Sequence, residues 1–497
     1  MASKGKCFNM RPTTGRFRQD LMIEHVYRFR STASLLGKHQ ELKNQEIYCS
    51  PLEDLNDPME GFKDLIWSGD KIVWMNLLKH YLLCLDRACS LFVLMGNTVD
   101  IDLAFIPVLQ TENDMLTQEH KDVYSEICDV FFKIPSVIEY AEGLSLSSCK
   151  RPIRRDELCY HLRTLHCHAL NAILTTYKNC GLMTDSPGSN ALAALCGKIS
   201  IDSETLKMMD EHFDLADVLF FSFNSIYSQA SLIGKYNNAA RPANPNSNLI
   251  YYEFPNRYVK LIEKIVHWDW YMACFAANYT NSSMWGHYAD NHRGVCLKFK
   301  TGVNGGNPVL TLNGITGWHV SKTEPNDIPL YGDKHHQLHK ITYKSIYPEI
   351  DFFRSLGRLS GIALDWWYSD GHGHNSSCAH DIYDNKAEWR ERYWAEFLTG
   401  QTTKLADWEY EEEYRVVLMD VITNYSDPSY RKLTYKFSDL EGIIFGINTA
   451  EDDKLSIFRL VEEKCSRENR KDFEFYQAYY AKSTGKIDVS KLDLIKF

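Results

Sequence analysis

A chain of 497 residues is too long to fold around one simple core, so we expect two or three structural units. Hydrophobic residues make up 44% of the chain and charged residues 24%, a balance that excludes an intrinsically disordered protein. The formal net charge of -10 excludes a general basic field that would attract nucleic acid, although the local run at 150–155 is basic.

The 14 cysteines are dispersed without a Cys-x-x-Cys pair, and the start of the chain lacks the apolar stretch of about 7–15 residues that marks a secretion signal. Both patterns favour a cytoplasmic protein with reduced thiols. No segment approaches the roughly 18 apolar residues of a spanning helix, so we expect no membrane role. The nearest case, residues 72–99, is interrupted by charges and predicts a buried pair of amphipathic helices.

In chain order, the first predicted elements are two short strands, VYRFRS at 26–31 and EIYCS at 46–50, joined by a polar helical link. The segment LEDLNDPMEGF at 52–62 carries Asn-Asp-Pro and a Gly, which predicts an ordered turn. From 63 to 214, Leu, Ile and Met recur at helical spacing. This stretch predicts a large all-helical insertion.

Strand-like sequence returns after the insertion. The later predicted strands are ADVLFFSFNSIYS at 216–228, WYMACFAAN at 270–278, GVCLKFK at 294–300, ITYKSIY at 341–347, WEYEEEYRVVLMDV at 408–421 and LEGIIFGIN at 440–448. The later predicted helices are SSMWGHYADNH at 282–292 (N-cap Ser282 or Ser283), two pieces within 350–400, and DKLSIFRLVEEKC at 453–465. Residues 301–340 predict a loop.

This order of elements predicts an α+β fold with a core of mixed or antiparallel sheet. The predicted parts are an N-terminal tail at 1–25, a split core at 26–62 and 215–460, the helical insertion at 63–214, and a C-terminal helix and tail at 461–497.

The acidic stretch at 408–415 is the most informative candidate for chemistry. In a strand, alternate side chains share a face, so Glu411, Glu413 and Arg415 would point one way, with the two acids about 6–7 Å apart. Two such carboxylates repel unless a cation lies between them, and Arg415 can supply that cation. The group can hold a ribose hydroxyl, polarise a leaving group or bind a metal. The alternative is an exposed edge strand with solvated acids.

The predicted helix at 282–292 offers a second candidate. Helical spacing brings Met284, His287 and Tyr288 to one side, with Trp285 on the neighbouring side. Tyr288 therefore lies between an apolar and a polar face, which suits a side chain that presents its hydroxyl to a cleft. A packed amphipathic helix is the equal alternative.

The early strand offers a third candidate, because Arg28 and Arg30 share one face and Tyr27 and Phe29 share the other. An arginine there can clamp a phosphate through two hydrogen bonds. The following pair Asn56-Asp57 favours a structural role in the turn over catalysis.

Two groups of Cys and His residues lack the spacing of a defined zinc site, and no metal is expected at either. They are Cys159, His161, His166, Cys167 and His168, and His372, His374, Cys378 and His380.

Taken in order, the stretches YRFRS, LKNQEIYCSPLEDLNDPMEG, SMWGHYADNHRGVCLKF, ITYKSIYP, KLADWEYEEEYRVV and LEGIIFGIN are similar to the bacterial domain-of-unknown-function 2971 family. The resemblance covers 26–62 and about 215–460 and leaves the helical block outside. The arrangement also resembles, more remotely, the ADP-ribosyltransferase fold, which implies split sheets. Those enzymes place an Arg or His on an early strand, aromatic and hydroxyl groups in the middle, and a Glu, often Glu-x-Glu, on a late strand; the Ser-Thr-Ser strand motif is absent here.

This second resemblance implies NAD as substrate, for an ADP-ribosyltransferase or NAD glycohydrolase acting on protein or nucleic acid, as a toxin or phage-defence effector. Glu413 would hold the ribose 2′-hydroxyl, Glu411 would orient the nucleophile, and Tyr288 would complete the catalytic set. The residues implied in NAD binding are Arg28 at the pyrophosphate, Trp285 or Tyr288 against nicotinamide, and Tyr27, Arg30, Ser283, His287 and Arg415.

Two other functions stay open on the residues alone. A non-catalytic sensor would bind a ligand in the aromatic pocket and dock a partner on the helical block. A metal-dependent hydrolase or nuclease would use Glu411, Glu413, His287 and Asp57, although Arg415 would compete with a divalent cation.

Overall fold

The computed structural model describes residues 23–96, 99–183, 204–237, 245–319, 328–421 and 423–497. The strands are β1 His25–Arg30, β2 Glu46–Tyr48, β3 Asp64–Trp67, β4 Ile153–Arg154, β5 Trp270–Ala276, β6 Val295–Lys300, β7 Gly302–Asn304, β8 Asn307–His319, β9 Ile328–Gln337, β10 His339–Lys340, β11 Thr342–Lys344, β12 Glu349–Asp351, β13 Thr403–Leu405, β14 Glu413–Met419, β15 Lys432–Tyr435, β16 Leu440–Phe445, β17 Glu474–Ala481 and β18 Lys486–Lys491.

The helices are α1 Thr32–Leu36, α2 Glu41–Asn44, α3 Lys71–Met95, α4 Gln118–Phe132, α5 Pro135–Lys150, α6 Arg155–Asn179, α7 Glu204–Glu211, α8 Phe213–Asn237, α9 Pro245–Asn248, α10 Phe254–Val266, α11 Ser282–Tyr288, α12 Gly361–Tyr368, α13 His380–Tyr383, α14 Lys386–Thr402 and α15 Glu451–Glu468. A π-helical segment, Leu249–Glu253, joins α9 to α10.

The main sheet runs in the order β10-β14-β5-β1-β6-β16-β17-β18 and is antiparallel except where β16 and β17 run parallel. Strand β5, WYMACFA, is apolar on both faces, because other parts of the chain cover both sides of the sheet there. A second sheet has the order β2-β15-β8-β7, with β9 paired to β8. The predicted core of mixed and antiparallel sheet is confirmed.

The main sheet is split at its centre. Strands β1 and β5 share a single register pair, Tyr27 with Ala276, whereas β1 pairs with β6 and β5 pairs with β14 along their lengths. Beyond that pair, the backbone of β5 forms hydrogen bonds with Ser50: Ser50 N donates to Met272 O at 2.8 Å, and Met272 N donates to Ser50 O at 3.0 Å. The segment that follows β2 therefore lies beside β5 where β1 has left it.

A helical region, from α3 to α10, shares one apolar core with residues 350–393. It contains buried His–Tyr pairs, at 2.8 Å between His80 Nδ1 and Tyr258 OH and at 2.7 Å between Tyr81 OH and His166 Nδ1. Strands β12, β3 and β4 form a small sheet in the order β12-β3-β4, so the insertion is not wholly helical.

The strand predicted at 216–228 is wrong, because this sequence lies inside helix α8. Its aromatic and branched residues favour a strand, but Ala216 and Phe220, one helical turn apart, pack together against α6 near Tyr160. Among the described residues that follow α8, helical segments extend from Pro245 to Val266, and the next strand is β5.

Three further predictions are wrong. The described residues of 301–340 are mostly strands β7 to β10 instead of a loop: β7 and β8 pair across the turn at 304–307, and β8 pairs with β9 although Asn313, Gly314, Gly317 and Gly332 lie within these strands. The helix pair at 72–99 is one helix, α3, whose charges share a less buried side. The expected C-terminal tail forms β17 and β18 after α15. The strands predicted at 26–31, 46–50, 294–300 and 440–448 are confirmed, as are the helices at 282–292 and 453–465.

Candidate functional site

A cavity of about 220 Å³ lies where β1 and β5 separate. Its walls are residues 27–30 of β1, residues 272–276 of β5, and parts of the segment 50–60 that follows β2. Met284 and Tyr288 of α11 close another side. The split in the sheet therefore makes room for a ligand between two strands that would otherwise be paired.

Arg28 is a buried cation in this wall, with 8% of its surface exposed. Its Nη1 donates to Cys274 O and its Nη2 to Tyr48 O, both at 3.3 Å, and within the described residues it makes no ion pair. Burial and the neighbouring charge of Arg30 lower the pKa of Arg28. A buried guanidinium that has only carbonyl acceptors lacks a counter-charge, and an anionic ligand group would supply one.

Arg415 is fully buried under the acids, and all of its N–H groups are engaged. It donates to both carboxylate oxygens of Glu60 at 2.7 and 2.8 Å, to those of Glu413 at 2.7 and 3.0 Å, and to Gln401 O at 2.8 Å. It shares a strand face with Glu413, as predicted, but it has no donor left for a ligand. Its predicted role in NAD binding is therefore wrong.

Glu411 does not lie on the strand, so the predicted spacing of the acids along one strand is wrong. The chain forms a 3-10 turn over Ala406–Glu411, Glu412 adopts the left-handed region with φ 43°, and β14 begins only at Glu413. The two acids meet instead through Lys404, whose Nζ lies 2.6 Å from Glu411 Oε2 and 3.4 Å from Glu413 Oε2. The other oxygen of Glu411 accepts a 2.6 Å hydrogen bond from Tyr288 OH.

The charges of this cluster follow from its contacts. Burial raises the pKa of Glu413, but Arg415 and then Lys404 outweigh it and lower the pKa to about 2. Burial alone would lower the pKa of Lys404, but the neighbouring carboxylates of Glu413 and Glu411 outweigh burial, so the pKa of Lys404 is raised. Burial and the charge of Glu411 raise the pKa of Tyr288. At neutral pH, Glu413 is a carboxylate, Lys404 an ammonium and Tyr288 a neutral donor.

The strand register brings three distant parts of the chain into one row. Tyr27 pairs with Ala276, and Ala276 pairs with Glu413, so β1, β5 and β14 carry these residues side by side. Tyr288 follows β5 on helix α11 and reaches the same cavity. An early strand, a middle helix and a late strand thus meet around one space.

The other predicted residues of helix α11 lie in the core or on the surface instead of in the cavity. Its N-cap is Asn281, which accepts from Ser283 N at 2.8 Å, instead of Ser282 or Ser283. Trp285 is fully buried, donates to Tyr279 O at 2.7 Å and packs edge-on against Phe29, so it is a core residue and does not face the cavity. Its predicted stacking on nicotinamide is wrong.

Three more predicted residues have other partners or lie outside the cavity. Arg30 lines the wall, but its Nε donates to Glu41 Oε2 at 2.7 Å. His287 is exposed, with Nδ1 3.1 Å from Tyr410 OH, and Ser283 is also exposed; neither lines the cavity. These positions contradict direct contact of His287 and Ser283 with a ligand inside the cavity.

The donor set does not suit a divalent metal. The ammonium of Lys404 lies between the carboxylates that a metal would need, and His287 is directed to Tyr410. Within the described ranges, no group of three or more His, Cys, Asp or Glu residues could hold a metal ion. In the two Cys/His groups, His161 and His166 hydrogen-bond to tyrosines, and His374 pairs with Asp370.

Sequence reasoning missed Lys404 and Glu60 as members of the cluster. Glu60 lies in the turn at 52–62, where the pair Asn56-Asp57 favours a structural role over catalysis, and Lys404 precedes the acidic stretch without any periodic relation to it. Asp57 lines the cavity, and its Oδ1 accepts from Met59 N at 2.9 Å, which matches the predicted turn role. Its Oδ2 is buried without a partner. This buried carboxylate oxygen without a hydrogen-bond partner is a local signal that the turn has a second role.

Comparison of the chain with protein-family models, with curated proteins and with solved structures finds no match. Both resemblances drawn from the sequence therefore stay predictions. Among the helices of the described segments, none is long and apolar enough to cross a membrane.

Proposed function

We propose that this chain binds NAD at the split in the main sheet and cleaves its nicotinamide bond, as an ADP-ribosyltransferase or NAD glycohydrolase. The observation that carries the proposal is the meeting of Arg28, Tyr288 and Glu413 around one cavity, from three separate parts of the chain. This is the early, middle and late order that the resemblance to ADP-ribosyltransferases implies: Arg28 lies on β1 and Glu413 on β14, on the two sides of β5, and Tyr288 lies on α11, which follows β5 in the chain.

The residues of the cavity fit the chemistry of that bond. Bound NAD supplies a ribose on which positive charge develops as nicotinamide leaves. A preorganised carboxylate stabilises such charge without reorganisation, and Glu413 is held ionised by Arg415 and Lys404. Tyr288 orients Glu411 through its 2.6 Å hydrogen bond. Arg28 offers an anionic group of the ligand a guanidinium that makes no ion pair with the described residues.

The fit extends to one end of the dinucleotide. The cavity of about 220 Å³ is smaller than the roughly 300–1,000 Å³ pockets that enclose drug-sized ligands, so only part of NAD would be enclosed. The unpartnered Oδ2 of Asp57 is the kind of group that a ligand hydroxyl or amide satisfies. We assign the enclosed part to the nicotinamide ribose because the acids lie in this wall.

The test is nicotinamide release from NAD, measured by chromatography with the purified chain alone and with added cell protein and nucleic acid. Glu413→Gln should reduce release by on the order of 100-fold or more, because it removes the charge that the reacting sugar requires. Glu409→Gln is the matched control, since Glu409 belongs to the same acidic run but is exposed. Tyr288→Phe, which leaves the ion pairs intact, should reduce release by about 10-fold or more.

Unfolding temperatures of the variants show whether a loss of activity is a loss of fold. Wild-type protein that releases no nicotinamide under any of these conditions excludes the catalytic proposal. Equal release by Glu413→Gln and Glu409→Gln excludes Glu413 as the catalytic acid.

A specific observation favours a second function, a sensor that binds a ligand without turnover. Both oxygens of Glu413 already accept from Arg415, and Lys404 adds a further contact, so the carboxylate is saturated as in a structural ion pair. This function predicts that NAD raises the unfolding temperature while no nicotinamide is released. Helix α8, whose exposed side chains include Val218, Ile226 and Leu232, would then dock the partner.

A further inference from the structure

Lys404 reaches the acids from a different sheet. It lies on β13, which pairs only with β11 in a two-stranded sheet, and 4% of its surface is exposed. Its Nζ lies 4.6 Å from the ring centroid of Trp408, and it contacts both Glu411 and Glu413. An ammonium held at this place connects the two acids that sequence alone placed side by side on a strand.

The charge balance of the cluster depends on this lysine. The carboxylates of Glu60, Glu411 and Glu413 face two cations, Lys404 and Arg415. Arg415 cannot compensate for a missing lysine, because its donors are already engaged. Without Lys404, three buried carboxylates would share one cation, and one of them would take up a proton.

The other groups that face the acids carry no positive charge. Tyr288 donates to Glu411, Tyr343 OH accepts from Glu413 N at 2.9 Å, and the thiol of Cys274 contacts Glu413. Burial raises the pKa of both tyrosines and of the thiol, so all three are neutral near pH 7. Lys404 is therefore the only cation that contacts Glu411 among the described residues, whereas Glu413 also contacts Arg415.

We infer that Lys404 is a positioning residue of the proposed reaction, whose ammonium holds the carboxylates of Glu411 and Glu413 close together at the cavity wall. The inference rests on the proposed function, since it assigns the lysine a role through the two acids. Lys404 itself need not touch the substrate.

The first test needs no ligand: the unfolding temperature of Lys404→Met is compared with that of wild-type protein from pH 5 to pH 8. Methionine keeps the apolar stem beside Trp408 and removes the charge. One acid then has a folded pKa above its unfolded value, so stability is retained at low pH and lost as the pH rises through that pKa. We expect a deficit on the order of 5 °C at pH 8 that shrinks toward pH 5.

A second-site variant separates charge from packing. Lys404→Met with Glu411→Gln again leaves two carboxylates with one cation and should regain stability at pH 8 and lose the extra pH dependence. Lys404→Arg keeps the charge and should behave like wild-type protein in its pH dependence. Lys432→Met, at a half-exposed lysine 3.7 Å from Glu46, is the control and should show no such trend.

A deficit of Lys404→Met that is constant from pH 5 to pH 8, or a double variant no more stable than the single one, overturns the inference. So does failure of both variants to fold at every pH, since the lysine is then needed for packing. Where nicotinamide release is measurable, the acid limb of its pH profile should move upward in Lys404→Met and not in Lys404→Arg. Absence of release by wild-type protein rejects the proposed function, while the unfolding series still reports the charge role alone.

Discussion

The split-sheet core and the helical region bury polar groups in two different ways. The helical region buries mainly neutral pairs, such as His80 with Tyr258 and Tyr81 with His166, together with the ion pair of Glu157 and Arg151. The core buries a cluster of charges next to a cavity, with Glu413 and Arg415 at its centre. Neutral pairs satisfy each other, whereas buried charges beside an open space are costly to keep, and such charges are common at functional sites.

The largest expected effect breaks the charged cluster. Arg415→Met removes the partner of two buried carboxylates, Glu60 and Glu413, and should lower the free energy of unfolding by about 3–5 kcal/mol. Denaturant titration measures this change. Arg467→Met, which removes an exposed ion pair with Glu463, should cost less than about 1 kcal/mol. Equal losses of unfolding free energy for the two variants would contradict the distinction between the buried charged cluster and an exposed ion pair.

Acid should separate the two regions. Burial lowers the pKa of both His80 and His166 to about 4, so each contributes stability above its unfolded pKa that is lost as the pH falls from about 6.5 to 4. Each shift corresponds to about 3 kcal/mol. The contribution of Glu413, with a pKa of about 2, is lost only below about pH 4.5.

Hydrogen exchange at pH 7 and pH 5 checks this order. After correction for the slower intrinsic exchange at pH 5, we expect lower protection in α3, α6 and α10 before any change in the protection of β5 and β14. His166→Gln should reduce the pH effect, and His372→Gln, at an exposed histidine, should not. Earlier loss of protection in β14 than in α3 contradicts the comparison.

A smaller effect tests the neutral pairs. Tyr81→Phe leaves His166 Nδ1 without its 2.7 Å partner and should cost about 1–2 kcal/mol, without changing the charge of the region. Tyr236→Phe, at a tyrosine with 81% of its surface exposed, is the control. Thermal or denaturant unfolding measures both variants. A loss of unfolding free energy in Tyr81→Phe as large as that in Arg415→Met would contradict the difference between the helical region and the split-sheet core.

The local sequence pattern predicted an element correctly where the conformation of its residues depends on their neighbours in the chain. Strand β1 follows from the alternation of VYRFRS, and helix α11 from the i, i+3 and i+4 spacing of Met284, His287 and Tyr288. The acidic stretch was also recognised, although its geometry was not. A turn at Glu412, which requires a left-handed backbone, could not be expected from a run of strand-compatible residues.

Long-range packing decided the rest. Helix α8 has strand-like composition and is helical because its residues one turn apart pack on α6. Lys404 lies in the cluster because β13 pairs with β11, at a place that no local periodicity specifies.

By itself, the sequence determined a mixed-sheet core, a helical region and the types of residue available for chemistry, because these depend on composition and on short periodic spacing. Only the tertiary structure decided that β1 and β5 separate after one register pair and that a cavity lies between them. It also decided that Lys404 and Arg415 form ion pairs with the acids that line this cavity. The physical reason is that pairing between distant strands and the desolvation of charges depend on contacts far apart in the chain.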